Sequence, residues 1–255
     1  MVSRVIEFDG HLEGTPVERW REDGRLDRLP VLPDDALLSI DRVLVVVAHA
    51  DDETLGCGGT IALARRLGVP VDVVIVTDGG AAHGASSPGA AAALVAERRA
   101  EARAALDELG AGFGLAFLDV PDSGTPEHRD RILAEVLARA AAEPGRVLLL
   151  STWTGDGHRD HRVVGEVCAE AADALRHPLL AAPIWLWHWA APEDAEVPWP
   201  ALVRVQADED LRERKARARE RYPSQTAPGP GGIAPVLHPR FVRAFAGDDR
   251  LIRVR

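Results

Sequence analysis

Cysteine, aromatic residues, basic charge and long apolar runs are all scarce in this 255-residue chain, and each scarcity excludes something. The two cysteines, Cys57 and Cys168, are too few for a disulfide framework, and both fall in helical patterns as small core residues. Lys and Arg number 30 against 40 Asp and Glu, a formal net charge of −10, so the basic field of a nucleic-acid binder is missing. An acidic surface by itself says no more than solubility. The longest apolar runs, such as 43–48, fall far short of the about 20 residues that span a bilayer. The first ten residues lack the basic and apolar regions of a signal peptide. The expectation is a cytoplasmic protein without stable membrane insertion, with self-association left open.

What is present is an ordinary globular mixture, 46% hydrophobic and 27% charged. Apolar runs at 43–48, 71–76, 115–118 and 147–151 read as buried strands. They alternate with helical patterns at 54–67, 90–109 (ended by Gly110), 127–142 and 161–175, the signature of βαβ units. The fold class expected is α/β, a Rossmann-like, mainly parallel sheet with helices on both faces. One domain covers 1–255, with an N-terminal extension over 1–40, a core over 43–180 and irregular additions over 181–255. In the extension, Thr15-Pro16-Val17-Glu18 reads as a capped helix start. In the additions, strands are expected at 183–189, 202–206, 241–245 and 251–254. A charged helix at 208–221 starts acidic, as the helix dipole favours.

The functional signal starts where the first strand ends. Ligands of an open parallel sheet bind outside the carboxyl ends of its strands. There stands His49-Ala50-Asp51-Asp52-Glu53, one imidazole and three carboxylates in five residues. Like charges this close are unfavourable unless solvated or held by a cation, so a metal accounts for the cluster. Ligation by His and Asp suits zinc and also admits iron, manganese or cobalt. The same residue types serve as helix caps and dipole partners, so the segment alone leaves both readings open. Gly56-Cys57-Gly58-Gly59 lacks the G-x-G-x-x-G spacing of a dinucleotide site and reads as room for a helix to pack close on the sheet.

A second cluster, Asp156-Gly157-His158-Arg159-Asp160-His161, follows another buried strand. His158 and His161 are three apart at a helix start, so both can face one side. Singly this too reads as a polar helix start. Two such clusters at the ends of two parallel strands argue for one shared centre.

Together these segments resemble a known family. His49-Ala50-Asp51-Asp52-Glu53 is similar to the His-Pro-Asp-Asp-Glu motif of the LmbE-like (PIG-L) zinc N-deacetylases, and His158-Arg159-Asp160-His161 to that family's His-x-Asp-His motif. Arg98-Arg99-Ala100-Glu101, running on to Leu109-Gly110, resembles its Arg-x-x-Glu helix. Lys215 and Ser224-Gln225 resemble its C-terminal Lys…Ser-Gln pattern, so the likeness covers roughly 43–225. Ala50 stands where proline is usual, which touches only local backbone rigidity.

The resemblance implies His49, Asp52 and His161 as ligands of Zn2+, with Fe2+, Mn2+ or Co2+ as alternatives. It implies Asp51 as general base and His158 as the imidazole that stabilises the oxyanion. Asp160 would then fix the tautomer of His158 and favour its charged form. Spacing alone does not say which of Asp51 and Asp52 holds the metal. The implied reaction removes an N-acetyl group from an N-acetylglucosamine-type sugar in a small glycoconjugate. An amidase for a larger acyl or thiol-conjugate amide, and a non-catalytic sugar-binding metal module, are the alternatives.

Substrate contacts are less defined. Arg98 reads as a holder of a substrate hydroxyl or anion, or as a helix-face partner of Glu101 at i,i+3. Asp122 reads as a ligand for sugar hydroxyls or as a turn residue in Pro121-Asp122-Ser123-Gly124. His83 lies in a small-residue loop that would cover the site or stay solvated. In a chain with 5% aromatics, strand alternation would put Trp185, Trp187 and Trp189 on one face, as core or as a wall for sugar or acyl chain.

Overall fold

The computed structural model describes residues 12–80, 87–110, 112–228 and 234–255. Strand β1 (Arg42–Val47) lies in the middle of the sheet and is buried on both faces. Its side chains alternate between two cores: Val43, Val45 and Val47 enter one, Leu44 and Val46 the other. β2 (Val71–Thr77), β3 (Gly114–Val120), β4 (Val147–Thr152) and β5 (Leu179–Ala182) extend the sheet in parallel. β6 (Leu202–Val205) and β7 (Asp249–Arg253) close one side antiparallel, giving the order β3-β2-β1-β4-β5-β7-β6.

Helices cover both faces, as expected. α3 (Asp52–Arg66), α4 (Pro88–Leu109) and α8 (Glu209–Arg219) bury Ile61, Leu106 and Leu211 in the first core. α5 (Arg129–Ala140) and α6 (Arg159–Leu175) bury Ile132, Val136, Val164 and Val167 in the second. Cys57 and Cys168 are buried and unpaired, one in each core. Among the described residues no helix is long and apolar enough to cross a membrane.

The glycines of α3 do what the spacing suggested. A Cβ on Gly56 would come within 2.5 Å of the Ala182 Cβ and 2.7 Å of the Ile184 side chain, so only glycine lets α3 seat against β5. Behind it, Lys215 of α8 donates to Asp249 of β7 at 2.7 Å, both fully enclosed. Asp249 also accepts the Thr60 hydroxyl (2.7 Å) and main-chain N–H (2.6 Å). One buried carboxylate thereby ties α3, α8 and β7.

Three local expectations fail. The helix α1 (Val17–Asp23) starts after Pro16 without a side-chain cap; the Thr15 N–H instead donates to the His188 carbonyl at 2.9 Å. Residues 183–189 form no strand but turn into the short helix α7 (Leu186–Trp189). Distant acceptors hold that turn. Leu186 N–H donates to the Asp156 carboxylate (2.9 Å) and the Trp189 indole to the Asp156 carbonyl (3.0 Å). The indoles therefore separate: Trp187 is buried edge-to-face on Trp20 of α1, while Trp185 stacks on Phe241. Residues 239–243 form a helix rather than a strand, capped by the His238 side chain and led by Pro239.

Candidate metal centre and active site

The sheet reverses its winding between β1 and β4, and the crevice outside their carboxyl ends is where a doubly wound fold binds ligands. His49 leaves β1 there, and the 156–161 segment leaves β4 there. Asp52 opens α3, and its carboxylate accepts the His49 N–H at 2.9 Å.

Three atoms then converge. His49 Nδ1 and His161 Nε2 are 3.2 Å apart, and Asp52 Oδ2 lies 3.4 Å and 3.3 Å from them. A tetrahedral ion with bonds of about 2.0–2.1 Å spaces its donors about 3.3–3.4 Å apart, so the triangle fits such an ion. The far nitrogen of each imidazole meets a carboxylate: His161 Nδ1 to Asp156 at 2.6 Å, His49 Nε2 to Asp160 at 3.2 Å. Outer carboxylates of this kind orient metal-binding histidines and raise their basicity. His158 is a rival donor, since the ring nitrogens of His49, His158 and His161 fall within 4.8 Å of one another. The Asp52 oxygen stands 3.4 Å from His49 and 3.3 Å from His161.

The electrostatics also call for a cation. Burial alone would lower His49 and His161, but hydrogen bonds that His49 donates to Asp160 and Asp52 raise it to about 9, and Asp52 and Asp156 raise His161 to about 10. Burial opposes ionisation of Asp52, yet the facing imidazoles hold it below the usual carboxylate range. The cluster gathers positive charge, as protons or as an ion.

Asp51 and His158 flank the triangle. Asp51 precedes α3 with φ 130°, a conformation that strains a non-glycine residue. Burial and then the charge of Asp52 push its carboxyl up to about 8, against the pull of Arg98 and His49. His158 Nδ1 accepts the Asp160 N–H at 3.2 Å, so a neutral ring carries its proton on Nε2. Burial, then the charges of His161 and His49, lower His158 to about 2, so the ring is neutral.

Asp160 meets His158 through its main-chain N–H, which sets the tautomer, and its charge favours the charged form of that ring against the larger opposing effects. Its carboxylate reaches His49, the Ser123 N–H (2.9 Å) and the Thr125 hydroxyl (2.7 Å), while only its main chain touches His158. The carboxylate lies beside the imidazole of a candidate ligand rather than behind the flanking one.

Arg98 does not pair with Glu101. Its guanidinium donates to the Ala50 carbonyl at 2.9 Å and faces Asp51 at 3.6 Å, while Glu101 accepts from Ser224. Position 50 thus acts through its carbonyl. Asp122 accepts the Gly79 N–H at 3.1 Å. Both Arg98 and Asp122 line an open cavity of about 230 Å³ with His49, Asp51, Asp52 and His158. His83 lies outside the described residues.

The motif segments include Glu53, Asp156 and Gln225 but give them no role, and Tyr222 lies outside every motif. Glu53 is buried, accepts the Asp51 N–H at 3.0 Å and the Thr54 hydroxyl at 2.6 Å, and is met by the Tyr222 hydroxyl. Gln225, also buried, lines the cavity. A carboxylate five residues before a candidate ligand was the available signal for Asp156. Nothing local signals Tyr222.

The PIG-L family, described as GlcNAc-PI de-N-acetylase, matches residues 44–172, half of the chain and both motif segments. The chain belongs to the PIG-L family. It is 29% identical over 147 residues to a diacetylchitobiose deacetylase of Thermococcus kodakarensis, covering 57% of the chain and 54% of that protein. It is 29% identical over 248 residues to the 1D-myo-inositol 2-acetamido-2-deoxy-alpha-D-glucopyranoside deacetylase of Rhodococcus erythropolis, covering 76% of the chain and 84% of that protein. The chain therefore spans about half the length of the first relative and most of the second. The A40926 pseudoaglycone deacetylase Dbv21 shares the fold, at a TM-score of 0.59 and 23% identity, over 84% of the chain and 96% of that structure.

Proposed function

We propose that this PIG-L protein is a metal-dependent hydrolase that removes the N-acetyl group from an N-acetylglucosamine-type sugar of a small glycoconjugate. The observation that carries this reading is the near-equilateral triangle of His49 Nδ1, Asp52 Oδ2 and His161 Nε2, with Asp51 and His158 flanking it in one cavity. The two relatives are both sugar deacetylases by description, which agrees with it.

His49, Asp52 and His161 would hold the ion, zinc being the best match to one carboxylate and two imidazoles, with iron, manganese and cobalt as alternatives. Bound there, such an ion supplies Lewis acidity toward the amide carbonyl and lowers the pKa of a water from 15.7 toward about 7. Asp51 takes the proton of the attacking water and later returns it to the departing amine. Burial holds its carboxyl above the ordinary carboxylate range, and a cation that offset the charge of Asp52 would bring it down from about 8 into the range where it is ionised and can both take and return a proton. His158, neutral with its proton on Nε2, donates to the oxygen that gains charge as the carbonyl is attacked. Asp160 and Asp156 hold the rings of His49 and His161 in place. Arg98 and Asp122 line the pocket for the sugar.

Acetate release from a panel of N-acetylglucosamine derivatives tests the reading. Release that stops with a chelator and returns with a divalent ion supports it, and no release across the panel overturns it.

A further inference from the structure

Asp160 is fully buried, and each oxygen of its carboxylate takes a donor from the turn that follows β3. The Thr125 hydroxyl donates to Oδ1 at 2.7 Å and the Ser123 N–H to Oδ2 at 2.9 Å. Oδ2 also meets His49 Nε2 at 3.2 Å. Thr125 is itself fully enclosed. The turn that carries it is closed on both sides: the Gly124 N–H donates to the Pro121 carbonyl at 2.8 Å, and the His128 N–H to the Thr125 carbonyl at 3.1 Å. Within it Ser123 holds φ at 64°, uncommon for a residue with a side chain, with its N–H on Asp160.

The last torsion of a carboxylate side chain is soft, because such sp3–sp2 rotations have broad minima. Donors on Oδ2 alone would leave the group free to swing about that contact. Among the described residues Thr125 is the one donor to Oδ1, so its hydroxyl fixes the direction in which Oδ2 faces His49. We propose that Thr125 is a positioning residue for the metal centre, setting the ring of His49 through Asp160 and so the affinity of the His49, Asp52 and His161 site for a divalent ion. This inference rests on the metal reading of that triangle and adds a residue from the end of a third strand, outside the motif segments.

The test titrates zinc, iron(II), manganese and cobalt, each in turn, into the metal-free full chain against a competing chelating indicator, so affinity is read without turnover. Thr125→Val keeps the shape of the side chain and removes the hydroxyl, while Thr125→Ser keeps the hydroxyl and removes a methyl group. Thr125→Val should hold the ion about 10-fold more weakly than wild type, the lower end of the loss usual for an outer partner of a metal ligand, and Thr125→Ser should stay within about 3-fold. A packing role predicts the opposite order, because serine leaves a gap that valine fills. Should Thr125→Val not fold, Thr125→Ser against Thr125→Ala isolates the same hydroxyl, with Thr125→Ala the weaker binder by a similar factor. Wild-type affinity in Thr125→Val, or a loss in Thr125→Ser as large as in Thr125→Val, overturns the inference and leaves the metal reading standing. Wild-type protein that binds none of the four ions overturns the metal reading and the inference with it.

Discussion

The carboxylate of Glu53 accepts the main-chain N–H of Asp51 at 3.0 Å, bracing the one residue of the motif loop whose backbone is strained. Its other oxygen takes the hydroxyls of Thr54 and Tyr222, so a side chain from the C-terminal third clamps the general-base candidate from behind. Glu53→Ala leaves buried donors without acceptors, and each costs about 1–3 kcal/mol. We expect a loss of about 2–4 kcal/mol in urea denaturation together with a fall in turnover. A variant of unchanged stability and turnover would show that the clamp has no role.

Lys215 and Asp249 should behave as a unit. Asp249→Ala strands a buried ammonium and removes the acceptor for Thr60, so the expected destabilisation is about 3–5 kcal/mol. Lys215→Met should cost less, because Asp249 keeps its Thr60 and Gly59 donors. Equilibrium unfolding midpoints of the two variants check the order, and a larger loss in Lys215→Met would contradict it.

Metal binding should release protons. Burial notwithstanding, the facing carboxylates raise His49 to about 9 and His161 to about 10, so without a cation both rings are protonated at pH 7. An ion must displace those protons, which makes affinity rise as pH rises toward that range. Calorimetry at pH 7 in buffers of different ionisation heat should show net release of protons on metal binding, from His49 and His161 and also from Asp51. Affinity that falls with rising pH over this interval would contradict the charge assignment.

His158 and Asp52 compete for the third ligand position, and the 3.4 Å and 3.3 Å separations of the Asp52 oxygen from His49 and His161 are those of donors around a tetrahedral ion. Asp52→Ala should bind metal at least 10- to 100-fold more weakly, about the effect of losing a strong contact at such a site. His158→Ala should keep near-wild-type metal content in elemental analysis while losing turnover. The reverse pattern would assign His158 as the ligand.

Much of the centre was readable because its residues sit at strand ends. Buried parallel strands are unbroken apolar runs, so the ends of β1 and β4, and with them His49 and His161, stand out in the chain. Which carboxylate goes where was not readable. Asp160 and Asp156 each lie close in sequence to both His158 and His161, and only the folded geometry gives Asp160 to His49 and Asp156 to His161. The tryptophan segment misled for a related reason: its alternation is that of a strand, but its donors go to Asp156, about 30 residues away. Tyr222 reaches Glu53 across 169 residues, beyond any local pattern.

The division of labour between Asp51 and Asp52 is the centre of the account, and Asp51→Asn tests it most directly. The amide keeps the size of the side chain but cannot take a proton from water. With metal content and acetate release measured on the same preparation, the variant should hold metal like the wild type and turn over about 100- to 10,000-fold more slowly. Normal turnover at full metal content would contradict the assignment of Asp51 as the base.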